Sequence, residues 1–387
     1  MLSANWIAPV FAMVGGLIAA RNLKPEELGV VQAIMLIPTY VSFLQFGVFS
    51  GLNRNLPLFR ARNEPEKAQG FVNASAKMAR WVALAGAVIA LGSVAFFLLR
   101  SENPNYAYVA LFLVPALFFQ PLKIHQDTVY RGMREFERMG KNLHIINLWS
   151  LLCTVSSSVI GITGLALKLA TQNLLGWVLL LKNPPLQEGD QASFREIKQL
   201  SAVGMPMLIS GLIFGWLAAA DRTIIATFLT AEDLGYFALA GIAMNALKVF
   251  PNSINQLLYP RVAHAYGVKG SSRHLRRYIW IGLALNLVVM LPVAFVGCFA
   301  LPPLVLNFLP EYAPGIPAAQ ISLVGALAFA YSGPSVLIPI LRRNLPAQVA
   351  GVAAIGLVWA GGIYAVSAGS GIFGVAVARV VATAIYS

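Results

Sequence analysis

Apolar residues in this chain come in long continuous runs, not in two-residue alternation or single helical stripes. The runs fall at about 4–22, 28–52, 77–99, 106–130, 143–162, 164–182, 203–229, 234–259, 277–300, 317–341, 347–367 and 372–387. About 20 residues of helix cross a bilayer's hydrocarbon core, so the pattern predicts twelve membrane-spanning helices. A closed barrel would show alternating segments of about 10 residues instead. Proline and glycine inside several runs are tolerated in membrane helices. Only the glycine turns Gly161–Gly164 and Gly369–Gly374 divide the fifth run from the sixth and the eleventh from the twelfth. The first run has no basic leader, and a second run follows within a few residues, so it reads as a span and not as a cleaved signal.

Composition sharpens this picture. Of 387 residues, 58% are hydrophobic and only 11% are charged, whereas ordinary soluble domains are roughly 25% charged. A soluble enzyme, a disordered chain and a coiled coil are excluded, and the short loops leave no room for a separate soluble domain. The net charge of +13 is a topology signal. The even-numbered loops carry 21 Lys and Arg, and the odd-numbered loops carry only Arg21, Lys24 and Arg100. The positive-inside rule therefore places the even loops and both termini in the cytoplasm. No nucleic-acid partner is needed to explain the basic charge. Cys153 and Cys298 lie in apolar runs and carry no redox information.

The chain reads as a tandem repeat. Residues 17–29 (LIAARNLKPEELG) align with 223–235 (TIIATFLTAEDLG) at an offset of 206, with six identities, among them Glu26/Glu232 and Gly29/Gly235. Residues 161–171 (GITGLALKLAT) resemble 371–381 (GIFGVAVARVV), and Trp81 parallels Trp280 at the start of spans 3 and 9. Six spans return the chain to the same side, so the halves are parallel repeats, an arrangement associated with transport between two bundles. The expected fold is an all-α polytopic membrane protein of about 12 transmembrane helices, two parallel six-helix repeats around a central cavity. The expected divisions are an N-terminal lobe at 1–182, a cytoplasmic linker at 183–202 and a C-terminal lobe at 203–387. By repeat symmetry the final helix is expected to be partial.

Charges at membrane depth are costly, which makes them functional candidates. Lys168, Arg222, Lys248, Arg379 and one carboxylate, Asp221, lie within spans. Asp221, Arg222, Arg379 and Lys168 share a layer about 10–13 Å from the outer ends of their helices, and Lys248 is deeper. On span 8, Asn245, Lys248, Asn252, Asn255 and Tyr259 recur at spacings of three and four, which is one helix face. On span 4, Gln120, Lys123, Asp127, Tyr130 and Arg134 do the same. The cavity candidates are therefore Lys248, Asn245, Asn252, Asn255, Arg222, Arg379 and Lys123, with Asp221 as a site for a coupling H⁺ or Na⁺. Asp221 and Arg222 can equally be a structural neutral pair. On span 5, Asn147, Ser150, Thr154 and Ser157 read as helix packing by small residues. There is no HExxH, Walker loop or GxSxG, so no metal, ATP or other cofactor is implied, and no catalytic residue.

The segment ARNLKPEELGVVQAI (20–34), with the Phe-Gly turn and basic loop that follow it, resembles the oligosaccharide flippase family, within the group that also holds drug/cation antiporters and lipid II flippases. The segment DRTIIATFLTAEDLGYFALA (221–240) is similar to the same family's seventh and eighth spans, and YRGMREFERMGKN (130–142) to its basic loop after span 4. The resemblance covers nearly all the chain. It implies two lobes around a cavity, and export of a polyprenyl-diphosphate-linked oligosaccharide across the bacterial inner membrane. The sequence departs from the family in its short N-terminus and in lacking helices beyond span 12. A hydrated, cationic route would remove the cost of taking a charged sugar head through hydrocarbon. Two alternatives compete: a drug/cation antiporter of the same superfamily, and a polymerase or glycosyltransferase of lipid-linked sugars. The antiporter should carry unpaired carboxylates. The enzyme should carry a large outer loop, whereas the largest here, 301–316, has Glu311 as its single charge.

Overall fold

The computed structural model describes residues 2–186, 189, 193–245, 247, 250–251, 254, 275–328, 330 and 344–386, with backbone alone for 2–9, 275–279 and 344. Among these residues there are helices and turns but no strands. Among the described residues eight helices are long and apolar enough to cross a membrane, and Val10–Asn22 and Gly371–Tyr386 are shorter apolar helices. The molecule is an all-α polytopic membrane protein.

Helices lie over most of the predicted apolar runs, several extending two or three turns beyond them. They are α1 (Leu2–Asn22), α5 (Pro65–Arg100), α6 (Pro104–Gly132), α7 (Phe136–Ile160), α8 (Ile162–Leu181) and α9 (Phe194–Phe228), then α10 (231–245), α11 (Leu275–Phe308), α13 (Asn344–Ser367) and α14 (Gly371–Tyr386). Helix α10 covers the described part of the eighth run. A 3-10 turn at Pro310–Gly315, in the loop, precedes span 10, which begins as α12 (Ile316–Ala326).

Span 2 differs from expectation. Instead of one helix over 28–52 it is α2 (Pro25–Ile34), α3 (Leu36–Val41), a 3-10 turn at Ser42–Gln45 and α4 (Val48–Ala61). Phe46 (φ 45°) and Gly47 (φ 76°) are both left-handed and break the helix at the Phe-Gly turn. Helix α5 starts about three turns before its apolar run, with Pro65 in its first turn, where a missing N–H costs nothing. The polar first turns of α5 are invisible to hydropathy. At the glycine turns, Gly161 (φ 58°) and Gly371 (φ 53°) are both in the left-handed region, where a side chain would be strained.

The chain separates into two compact units. One comprises Met1–Phe11 and Ile34–Leu212, the other Ala12–Ala33 and Ile213–Ser387. In the first, α5 packs on α6, and α8 on both α6 and α7. Its core joins Leu52 and Leu56 of α4, Val72 and Ala79 of α5, and Leu200 of α9. On α7, Thr154 and Ser157 are buried, and Gly164 lets α8 approach the Cys153 and Ser157 backbone. This is the small-residue packing expected there. In the second unit α14 packs on α12 and α13, and Leu247, Met290, Ala294, Leu323 and Ala326 form the core.

The two copies of the repeated segment meet inside the second unit. A Cβ placed on Gly29 would lie 1.7 Å from the Ala231 carbonyl oxygen, and one on Gly235 would lie 1.8 Å from the Pro25 carbonyl oxygen. The two contacts are exchanged by the 206-residue offset. Beside them, Tyr312 donates from its hydroxyl to the Leu23 carbonyl at 2.9 Å and is buried. Burial, followed by the carboxylates of Glu311 and Glu27, pushes this phenol's pKa up, so it keeps its proton and remains a donor. Tyr312→Phe leaves the Leu23 carbonyl without its buried donor. The expected loss is about 1–2 kcal/mol, read as a lower unfolding midpoint of the purified protein in micelles.

Candidate functional site: charges at membrane depth

Asp221 lies on α9 directly after Ala218, Ala219 and Ala220, a run of small side chains that allows close helix approach. It is fully buried. Its carboxylate accepts from the guanidinium of Arg379 on α14, itself only 7% exposed. The other carboxylate oxygen accepts from the Arg222 backbone N–H at 2.8 Å. The guanidinium of Arg222 turns away and donates to the Ala218 carbonyl at 3.0 Å. Adjacent residues on a helix point about 100° apart, so Asp221 takes its neutralising charge from another helix and not from its sequence neighbour. Arg222 is half-buried and, among the described residues, has no carboxylate partner. Thr383 fixes the α14 backbone by donating to the Arg379 carbonyl at 2.8 Å.

On α6, Lys123 pairs with Asp127 at 3.1 Å, one helical turn along. Gly176 of α8 makes room for its stem, since a Cβ there would sit 2.5 Å from the Lys123 Cε. Tyr130, of the same stripe, is buried with its hydroxyl 2.8 Å from both the Leu180 and Asn183 carbonyls. It ties α6 to the end of α8 and is closed to water. Asn245 is exposed on α10. Lys248, Asn252 and Asn255 lie outside the described residues. The structure thus brings Asp221, Arg222 and Arg379 together within the second unit and keeps Lys123 in a local pair in the first. Among the described residues no cluster of three metal-ligating side chains occurs.

Among the polar residues that sequence reasoning passed over, two stand out in the second unit. Asn286 is fully buried on α11, its amide 3.4 Å from the Ala330 carbonyl. Its signal was a lone asparagine in an apolar run. Arg21, counted only as a loop charge, lines an apolar cavity.

A chain of long apolar helices with a buried ion pair between two of them is an integral membrane protein. Its fold is that of the MOP superfamily of transporters. An inward-facing MATE family multidrug resistance transporter superimposes with a TM-score of 0.80 at 13% identity, over 100% of this chain and 95% of the other. The lipid II flippase MurJ, in an inward closed conformation, gives 0.77 at 14% identity, over 99% and 84%. A MOP superfamily transporter from Pyrococcus furiosus gives 0.57 at 12% identity, over 99% and 93%. No curated protein matches in sequence. The sequence profile of the family described as "Polysaccharide biosynthesis protein" matches residues 18–312, and the chain belongs to that family. The resemblance read from residues 20–34, 130–142 and 221–240 is borne out.

Proposed function

We propose that this protein flips a polyprenyl-diphosphate-linked oligosaccharide across the bacterial inner membrane, by alternating access of two six-helix lobes, 1–182 and 203–387, joined by a cytoplasmic linker at 183–202. Both termini are cytoplasmic in this reading, which the excess of Lys and Arg in the even loops supports.

The observation that carries it is the balance of charge in the Asp221 layer. Arg379 consumes the carboxylate, and Arg222 is left as a net cation at a depth where an idle charge is costly. A diphosphate is a ligand that repays this cost through charge-assisted hydrogen bonds. The same balance counts against a drug/cation antiporter, whose cationic substrate would have to displace Arg379 from Asp221. A polymerase or glycosyltransferase would need acid or base residues on an outer loop, and Glu311 stands alone in 301–316. If transport is driven by H⁺ or Na⁺, Asp221 is the residue through which the ion acts, by competing with Arg379.

The test is reconstitution in vesicles holding a lipid-linked oligosaccharide, with translocation read from the accessibility of the sugar to an external glycosidase. Arg222→Gln is expected to lower the rate at least roughly tenfold, the scale of one charge-assisted hydrogen bond, with insertion unchanged. Translocation at the wild-type rate would remove Arg222 from the route. Extrusion of cationic dyes with no sugar translocation would favour the antiporter.

A further inference from the structure

A cavity of about 590 Å³ opens within the second unit, between α1, α10, α11 and α12. Its wall is hydrocarbon along its length, with Leu17 of α1, Ile242 of α10, and Val293, Ala300 and Leu304 of α11. Met13 to Arg21 on α1 rises about 12 Å, so the groove follows that helix for a length close to half the hydrocarbon thickness. Small residues keep it open, since a Cβ on Gly297 would touch only the Leu323 methyls, at 3.3 Å.

Arg21 is the single charged residue in the wall, at the end of α1. It is exposed, and no carboxylate pairs with it among the described residues. Its position is unusual for this chain. It is one of three Lys and Arg in the odd loops, against 21 in the even ones. The groove therefore has a long apolar track and one fork-shaped cation at its charge-poor end. That complements a long hydrocarbon chain with a phosphate at one terminus, and guanidinium matches phosphate oxygens in bidentate geometry.

We infer that this groove holds the polyprenyl chain of the carrier lipid in the outer leaflet, with its diphosphate on Arg21. This inference rests on the proposed function, and adds to it where the tail lies when the head group has reached the outer side.

The test uses the full chain in nanodiscs of phosphatidylcholine, photolabelled with a long-chain polyprenyl diphosphate that carries a diazirine on its tail. Label is expected in peptides holding Leu17, Ile242 and Val293–Leu304. Arg21→Gln should lower it roughly tenfold, and Arg21→Lys should recover part of it. Ala300→Phe should lower it by filling the groove, and a thermal melt checks that this variant is folded. Excess phosphatidylglycerol should not compete. Label mapping elsewhere, label indifferent to Arg21→Gln, or equal competition by phosphatidylglycerol would each overturn the inference, the last by showing an annular anionic lipid. Sugar translocation by the same wild-type protein separates the two claims. Translocation with label outside the groove sinks the groove alone. Label in the groove without translocation upholds the groove as a lipid site and sinks the flippase reading.

Discussion

Arg379→Gln is expected to destabilise the protein by about 3–5 kcal/mol, because it strands a fully buried carboxylate. Asp221→Asn should cost a similar amount by stranding the guanidinium of Arg379. The paired replacement Asp221→Leu with Arg379→Met removes both charges and retains apolar bulk, so most of the loss should return. Unfolding of the purified protein in mixed micelles reads all three. Equal losses in the single and paired variants would show that the ion pair does not hold α9 to α14. The paired variant also tests ion coupling. If it translocates sugar with full dependence on an imposed H⁺ or Na⁺ gradient, the pair is structural. If it flips only downhill, Asp221 exchanges Arg379 for the coupling ion during the cycle.

This pairing shows what was legible in the sequence. Charges inside apolar runs are conspicuous, so Asp221, Arg222 and Arg379 could be picked out from the chain alone. Which of them pair could not, because adjacency favoured Arg222 while helix rotation and packing selected a residue 158 positions away. The spans were legible because hydrocarbon demands long apolar helices, and the Gly161 and Gly369–Gly371 turns because glycine marks left-handed backbone. Hydropathy missed the first turns of α5, which are too polar to belong to an apolar run, and the break at Phe46, which does not lower the local apolar content. It also put Tyr130 on one face with Lys123 and Asp127, whereas Tyr130 is buried and its hydroxyl meets the Leu180 and Asn183 carbonyls. The groove at Arg21 needs four helices distant in sequence, and no local pattern encodes it. Nor does any local pattern assign Ala12–Ala33 to the same compact unit as Ile213–Ser387.

Gly29→Ala and Gly235→Ala are expected to be the most damaging single-methyl changes in the described part of the second unit. Most added methyls meet the ends of flexible side chains, which can shift. These two meet backbone carbonyls, at 1.7 Å and 1.8 Å, and Gly29 also faces the Gly235 backbone nitrogen at 3.0 Å. The α2 and α10 backbones would have to separate by more than 1 Å, breaking the contact that the repeated segments make with each other. Overpacking of a core by side chains alone costs about 1–3 kcal/mol, and a clash with backbone should reach or exceed the upper end. Gly211→Ala and Gly241→Ala meet nothing within 4 Å. In a helix they should be neutral or stabilise slightly, by up to about 1 kcal/mol. The double variant at Gly29 and Gly235 discriminates further. Once one methyl has forced the crossing apart, the second enters space already opened, so the double loss should fall well short of the sum. Thermal melts of the five proteins give the comparison. Melting of Gly29→Ala at the Gly211→Ala temperature would mean that the two repeated segments do not pack at this distance in the membrane-inserted protein.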